Sequence, residues 1–289
     1  MSASDLPKPL QTLLTISKLN CVKINLSKQD NDFLPTTSSQ VGGMGYLPIG
    51  ETYPTKADGT PLVLLAQLNF RQLGAVVEMS QLSYPLPKQG ILQIYIDGQD
   101  DNYLYGADFD NQLPSKTYQV RFWQDDSLPI NADELTQITE QLQGFGIDKL
   151  PFDFRHQYAM DFALTSQSCT TTCHEYNHIS QKIDELAGVD VWDYLEEELK
   201  IDDADEVLTS YDELVNSGGH QILGYPIFTQ TDPREYEGSL QEHILLLQID
   251  TDDENDIIWG DSGVANFFIH PKDLKEQNFS KLIYNWDCY

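Results

Sequence analysis

Hydrophobic residues recur along the chain at two spacings, and each spacing predicts one type of secondary structure. Apolar and polar residues alternate in Cys21–Leu26, which is typical of a β-strand with one buried face. Longer apolar runs also predict strands, at Pro61–Phe70, Ile91–Ile96 and Thr117–Trp123. Turns rich in glycine and proline separate these runs. The first half of the chain is therefore predicted to consist mainly of short strands.

Apolar residues three and four positions apart predict two helical segments in the middle of the chain. Asn131 is a favourable N-cap for the first, and Glu134 lies where a capping box places its acidic partner. The second segment, Ile183–Val215, has one apolar face and one acidic face. The acidic face is either a solvated surface or part of a contact surface. Its members are Asp193, Glu196, Glu197, Glu198, Asp202, Asp203, Asp205 and Glu206.

Four sequence blocks of the first half return in the same order in the second half. This order predicts an internal duplication of about residues 42–97 and about residues 218–271, with an acidic helical insertion at about residues 131–215. The predicted class is therefore α+β, with two pseudo-repeated strand units and helices between them. The matched blocks are Val41–Gly43 with Ser217–Gly219, Tyr46–Ile49 with Tyr225–Ile227, Leu64–Asn69 with Leu245–Asp250, and Gly90–Ile96 with Gly263–Ile269.

Two glutamines, Gln67 and Gln248, occupy the same position in the two predicted repeats, inside otherwise apolar strands. A buried amide costs free energy unless its polar atoms are hydrogen-bonded. One interpretation is structural, with each amide joining a neighbouring loop to the sheet. The alternative is a cleft between the repeats that binds a small molecule or contains an active site. The candidate ligand-binding residues of that cleft are Tyr46, Gln67, His220, Tyr225, Gln248 and Trp259.

The charge of the chain restricts the classes of partner. Its 289 residues include 46 Asp and Glu against 17 Lys and Arg, for a formal net charge of −29. Nucleic acid and an anionic membrane surface would both repel such a chain. A basic protein would be attracted, although solubility or adaptation to a salty or cold habitat would explain the same excess. No apolar stretch approaches the roughly 20 residues of a membrane span, and no secretion signal is recognised, so a cytoplasmic location is expected.

The four cysteines are too few for a disulfide framework in a chain of this length, so reduced thiols are expected. Cys169, Cys173, His174 and His178 form one cluster of zinc-ligand types. On a single helix, however, the two cysteines and the two histidines would face different directions, whereas zinc needs four converging ligands. The threonine-rich spacing favours a junction between a loop and a helix.

Two further motifs have the residue types of a metal site or a catalytic site. In the Asp250–Asp261 loop, Asp250, Asp252, Glu254 and Asp261 have the spacing of calcium ligands, but Asn255 replaces the glycine that such a loop requires. Gly260–Gly263 resembles the nucleophile segment of trypsin-like serine proteases, but its surroundings lack the rest of that pattern. An acidic hairpin loop and a tight turn are the favoured interpretations, so no catalytic residue, metal or cofactor is predicted.

Most of the chain resembles the YwqG-like family, a bacterial domain of unknown function, with the middle third matching less closely. The most specific segments are His220–Pro226 and Trp259–Gly263, and Gly42–Pro48, Leu64–Phe70 and Leu86–Ile96 also match. The resemblance implies one domain over residues 1–289, built largely of coiled antiparallel sheet. It implies no established activity. Genes of this family beside secreted-toxin genes suggest an immunity or antitoxin-type role, which agrees with a module that binds a basic protein. The oligomeric state is not indicated.

Overall fold

Ten strands form one antiparallel, curled sheet in the computed structural model of the chain. The structure describes residues 2–29, 33–110, 112–114, 117–171, 173–176, 179, 181, 204–215 and 218–289. The spatial order of the strands is β10-β9-β8-β7-β1-β6-β2-β3-β4-β5. Their bounds are β1 Leu19–Gln29, β2 Gln40–Gly42, β3 Val63–Asn69, β4 Ile91–Ile96, β5 Tyr118–Trp123, β6 Gln157–Gln167, β7 His220–Ile222, β8 Ile244–Asp250, β9 Val264–Ile269 and β10 Ile283–Asp287.

The centre of the sheet is the long pair β1 and β6, which runs from Leu19 opposite Gln167 to Gln29 opposite Gln157. Strands β2 to β5 lie on one side of this pair, and β7 to β10 lie on the other. Both flanks contain a bulge at the third strand from the edge, between Leu64 and Ala66 in β3 and between Leu245 and Leu247 in β8. The two halves of the chain are therefore separate in the sheet and meet through β1 and β6.

Five α-helices lie within the described residues, and two of them form a small core of their own. The helices are α1 Lys8–Ile16, α2 Phe70–Val76, α3 Ala132–Leu142, α4 Ala204–Val215 and α5 Pro271–Lys275. The apolar faces of α1 and α4 bury Leu10, Leu13, Leu208 and Tyr211 against one another. This cluster is separate from the main core on the sheet.

The predicted α+β class is confirmed, and several element boundaries agree with the sequence pattern. Strand β4 has the predicted bounds, and β1 extends the predicted strand at both ends. The strand predicted at Pro61–Phe70 is longer than the observed strand β3, which ends at Asn69. The Asn69 side chain accepts hydrogen bonds from the backbone N–H groups of Arg71 and Gln72 and so begins α2. None of the described helices has the length and apolar character that crossing a bilayer requires.

The helix predicted after Asn131 is confirmed as α3, but its capping box is only half formed. Asn131 Oδ1 accepts the backbone N–H of Glu134 at 3.3 Å. The Glu134 carboxylate accepts instead from the backbone N–H of Tyr53, while the Asn131 N–H donates to the carbonyl of Leu47. Of the second predicted helical segment, the part in α4 is confirmed. Residues 182–203, which include the acidic positions Asp193 to Asp203, lie outside the described residues.

Candidate functional site

A row of buried amide side chains crosses the sheet in its first flank. Gln93 Nε2 donates to Gln67 Oε1 at 2.7 Å, and Trp123 Nε1 donates to Gln93 Oε1 at 2.6 Å. Gln40 is paired with Gln67 across β2 and β3, and its Oε1 accepts from Gln157 Nε2 at 3.1 Å. These amides satisfy one another in an apolar environment, where each unpaired polar atom would carry a large desolvation cost.

The two glutamines singled out by the sequence both join a loop to the sheet. Gln67 Oε1 accepts from the backbone N–H of Tyr46 at 2.8 Å, and Gln67 Nε2 donates to the carbonyls of Thr36 and Ser38. Gln248 Oε1 accepts from the N–H of Ile227 at 2.9 Å, and its Nε2 donates to the carbonyl of Gly219 at 2.7 Å. The structural interpretation of both amides is therefore the arrangement that is observed.

The six candidate ligand-binding residues are all buried, and the structure distributes them over both flanks. Tyr46 and Gln67 belong to the first flank, whereas His220, Tyr225 and Gln248 belong to the second. The hydroxyls of Tyr46 and Tyr225 donate to the carbonyls of Leu128 and Ser17. Trp259 packs against Tyr105 and Trp286. Of the six, His220 lines a described cavity, of about 290 Å³. A shared ligand-binding role for the six stays a prediction.

Both ring nitrogens of His220 are engaged by its own fold. The backbone N–H of Asp250 donates to Nδ1 at 3.0 Å, so Nε2 carries the hydrogen and donates to Asp252 at 3.2 Å. Burial lowers the pKa of His220 and outweighs the opposite effect of Asp252. Burial therefore favours the neutral ring, and both of its nitrogens have hydrogen-bond partners within the fold.

The acidic Asp250–Asp261 loop folds as a series of turns. Asp252 accepts from the N–H groups of Glu254 and Asn255, and the carboxylate of Asp250 accepts from the N–H of Gly219. Ser262 has a positive φ of 55° in the following turn. In the part of the chain that the structure describes, no three His, Cys, Asp or Glu side chains are placed to hold a metal ion.

The expectation of reduced thiols is wrong for one pair of cysteines, because Cys169 and Cys173 form a disulfide. Their Cα atoms are 6.3 Å apart, which is within reach of such a bond. In this state neither sulfur is a thiolate available to zinc. His174 Nε2 lies 3.2 Å from the carbonyl of Gln241, and His178 lies outside the described residues. Cys21 and Cys288 are free thiols.

An acidic cavity of about 400 Å³ is the candidate functional site. Segments far apart in sequence form its walls: the disulfide-bonded turn, α4, and the loop that follows β7. None of the described residues that line it is Lys or Arg. They are Thr170, Cys173, Asp212, Pro226, Ile227, Phe228, Gln230, Thr231, Asp232 and Glu235.

The disulfide-bonded turn holds Asp212 in the cavity wall. The Asp212 carboxylate accepts from the backbone N–H of Thr171 at 2.6 Å and also from its hydroxyl. Burial raises the pKa of Asp212, and these hydrogen bonds offset part of that effect. Asp212 and Glu235 make no ion pair with another described residue.

Asp232 differs from these two carboxylates because its charge is already compensated. Arg234, whose side chain is 0% exposed, binds Asp232 at 2.6 Å and Glu175 at 2.6 Å. Its guanidinium also lies 5.1 Å from the centre of the Phe268 ring. A buried charge needs such partners to be tolerated. Sequence reasoning missed Asp212 and Arg234, although the Asp232-Pro-Arg234 order is a recognisable signal for a capped turn.

A second cavity, of about 380 Å³, adjoins the first, because Gln230 and Thr231 line both cavities. Its aromatic lining residues are Phe109, Tyr236 and Trp286. Asp287 completes the wall and accepts from the N–H groups of Thr229 and Gln230 at 3.2 and 3.0 Å. The two cavities offer acceptor oxygens and aromatic faces, which suit cationic and apolar groups.

Comparison with known proteins supports the resemblance seen in the sequence at the level of a family. No curated protein shows significant similarity to the chain. The sequence profile of a family described as a domain of unknown function, DUF1963, matches residues 39–288, which is most of the chain. This chain is therefore a member of the DUF1963 family.

Proposed function

We propose that this protein is a binding module for a basic protein partner. The observation that carries the proposal is the charge: 46 acidic against 17 basic residues give a formal net charge of −29. A field of one sign accelerates the encounter with a partner of opposite charge and disfavours partners of like charge.

The ion pairs of the folded chain strengthen this argument. Seven of the described Lys and Arg residues already pair with carboxylates, so they add little positive potential of their own. They are Lys28, Lys56, Arg71, Lys149, Arg155, Arg234 and Lys281. The surplus of carboxylates is left to interact with solvent or with a cationic surface.

Within this proposal the protein is a YwqG-like member of its family and acts in the cytoplasm as an immunity or antitoxin-type protein, with a basic toxin as the partner. Cytosolic thiols are normally kept reduced, so the Cys169–Cys173 pair provides a test of location. Rapid alkylation inside cells should trap this pair as thiols if the location is cytoplasmic. A pair recovered fully oxidised would contradict that location.

The proposed architecture is one domain over residues 1–289 with an internal duplication. Three observations support it: the equivalent bulges in β3 and β8, the two flanks on opposite sides of β1 and β6, and the register. Gln40 faces Gln67 as Gln221 faces Gln248. This register supports the matches of β3 with β8 and of β4 with β9. It also favours Gln221 as the counterpart of Gln40, in place of the match of Ser217–Gly219 with Val41–Gly43. The units remain about residues 42–97 and about residues 218–271, with the acidic insertion at about residues 131–215.

Salt dependence tests the binding proposal. The immobilised protein and an unrelated protein of similar net charge should be used to capture partners from cells of the source organism. A partner specific to this chain should be basic, and its affinity should fall as ionic strength rises from about 0.01 M to about 1 M, over which the Debye length shrinks from about 30 Å to about 3 Å. A specific partner that is acidic, or whose affinity does not respond to salt, would reject the proposal.

A second candidate is small-molecule binding or catalysis at a cleft between the two strand units. The contribution of His220 to a cavity beside Lys23, Thr165 and Gln221 favours it. A thermal-shift screen against metabolites, repeated with Lys23→Ala, tests this candidate. A stabilising compound whose effect disappears in the variant would support it, and the absence of any stabilising compound would count against it.

A further inference from the structure

We propose that the two cavities beside Gln230 and Thr231 form one groove that receives an extended basic segment of the partner, with an arginine side chain between Asp212 and Glu235 and apolar side chains against Phe109, Tyr236 and Trp286. We call this surface the 230–231 groove. The inference rests on the proposed function, because it assigns the surface through which a basic protein is bound.

The first argument is continuity. Gln230 and Thr231 line both cavities and are exposed, so a chain that lies across them can reach both the acidic cavity and the aromatic cavity. The cavities measure about 400 and about 380 Å³, and each is large enough for a long side chain. An extended segment directs successive side chains to different sides, so neighbouring side chains of one segment can enter two adjoining cavities.

The second argument is charge complementarity. Among the described residues, the lining of the two cavities includes four carboxylates, Asp212, Asp232, Glu235 and Asp287, and no Lys or Arg. Arg234 compensates Asp232 from beneath, because its own side chain is 0% exposed. Asp212 and Glu235 remain for a cation of the partner. Since burial raises the pKa of Asp212, an incoming guanidinium would also stabilise its ionised form.

The third argument is the exposure of aromatic side chains around the second cavity. Phe109 is 50% exposed and Tyr236 is 70% exposed. These aromatic faces bury the apolar side chains that flank the arginine. In the first cavity, two carboxylates favour arginine over lysine, because a guanidinium binds carboxylates through two parallel hydrogen bonds.

The fourth argument is that the groove is already formed in the free chain. Ile227 is fixed by both of its backbone polar groups, because its N–H donates to Gln248 Oε1 at 2.9 Å and its carbonyl accepts from Asn266 Nδ2 at 2.8 Å. Asp287 fixes the N–H groups of Thr229 and Gln230. A rigid floor reduces the entropy lost when a segment binds.

The proposal is tested by fluorescence polarisation on the full chain, with a short labelled peptide of alternating arginine and leucine as the probe. The Asp212→Asn/Glu235→Gln double variant removes two charges from the groove. The Asp133→Asn/Glu140→Gln variant removes two charges from the exposed face of α3 and serves as the matched control. We expect the groove variant to lose about tenfold or more in affinity and the control to lose less than about twofold.

Two further variants separate loss of binding from loss of folding. Glu235→Gln alone changes an exposed side chain, and Tyr236→Ala removes an exposed ring. Both variants should therefore keep the unfolding temperature of the native protein and bind the peptide more weakly. A peptide in which lysine replaces arginine should bind more weakly than the original.

The failures of the two proposals are distinguishable. The groove is rejected if the peptide does not bind, or if the groove and control variants reduce its affinity equally. Salt-dependent capture of a basic partner would still support the proposed function in that case. If no basic partner shows salt-dependent binding, the proposed function is rejected, and the proposal of the groove is rejected as well because it rests on that function.

Discussion

The side-chain amide of Gln93 donates to the side-chain carbonyl of Gln67 over 2.7 Å, with both residues 0% exposed inside the sheet. The same Gln67 oxygen also accepts the backbone N–H of Tyr46, and Gln93 Nε2 donates to the Tyr46 carbonyl. Strands β3 and β4 are thus joined to the loop that contains Tyr46 by a network of buried hydrogen bonds. Such networks specify one arrangement of a core, because partial satisfaction of a buried polar group is costly.

Gln67→Leu should destabilise the fold strongly. The change removes the acceptor for Tyr46 N–H and the donor to Thr36 and Ser38 carbonyls, and it leaves buried polar atoms unpaired. We expect a loss of about 3 kcal/mol in the free energy of unfolding, measured by urea denaturation. Gln137→Leu, on the exposed face of α3, is the control and should change stability by less than about 0.5 kcal/mol. Similar losses in both variants would contradict the role of the network.

Gly45→Ala should destabilise the fold because there is no room for a methyl group at this position. A Cβ on Gly45 would lie 2.6 Å from Gln67 Oε1 and 2.7 Å from Gln93 Nε2. Overpacking of this kind costs about 1–3 kcal/mol. Gly238→Ala is a matched control, because its Cβ would meet nothing within 4 Å. The midpoint of thermal unfolding should decrease clearly in Gly45→Ala. An unchanged midpoint would disprove the close approach of Gly45 to the two glutamine side chains.

Acidification should destabilise the protein through His220. Burial lowers the pKa of His220 below the ordinary value of 6.5, so below that pH the unfolded chain binds a proton that the folded chain excludes. The contribution of the neutral ring is present above about pH 6.5 and is lost as the pH falls, by up to about 1.4 kcal/mol per pH unit. His220→Gln should reduce this slope in denaturation measured from pH 7 to pH 5.5. His243 acts in the same direction because burial lowers its pKa as well, so part of the slope will persist.

The control for this pH dependence is His156→Gln, because 38% of the His156 side chain is exposed. It should leave the slope close to that of the native protein. If His220→Gln also leaves the slope unchanged, protonation of the buried ring does not limit stability at low pH.

The Cys169–Cys173 disulfide predicts a definite thiol count. In denaturant without reductant, two thiols should react, those of Cys21 and Cys288, and four should react after reduction. Because the bond closes a short loop, its reduction should lower the free energy of unfolding by about 2 kcal/mol. Cys169→Ser/Cys173→Ser should show the same loss and no further response to reductant. Four reactive thiols before reduction would show that the bond is absent.

Local periodicity predicts most strands of the sheet, because the residues that a strand buries are apolar and recur at a regular spacing. The apolar residues that surround Gln93 predict strand β4 with the bounds that the structure shows, and Asn131 marks the start of α3 through its capping oxygen. The amide positions Gln67 and Gln248 were also recognised, because a polar residue inside an apolar strand is unexpected wherever the strand lies. Helix α1 was missed, since its apolar face is short and is completed by α4, almost 200 residues further along the chain.

The sequence by itself determined the class of the protein, the strand-rich halves and the excess of negative charge, because composition and residue spacing are local properties of the chain. Only the tertiary structure decided which polar groups meet. It joined Cys169 to Cys173, turned Thr171 toward Asp212, and placed Arg234 between Asp232 and Glu175. The contacts of Thr171 with Asp212 and of Arg234 with Glu175 join residues 41 and 59 positions apart, and no local pattern encodes that geometry. The Cys169–Cys173 and Asp232–Arg234 pairs are only 4 and 2 positions apart, and they depend on the conformation of the turns that hold them.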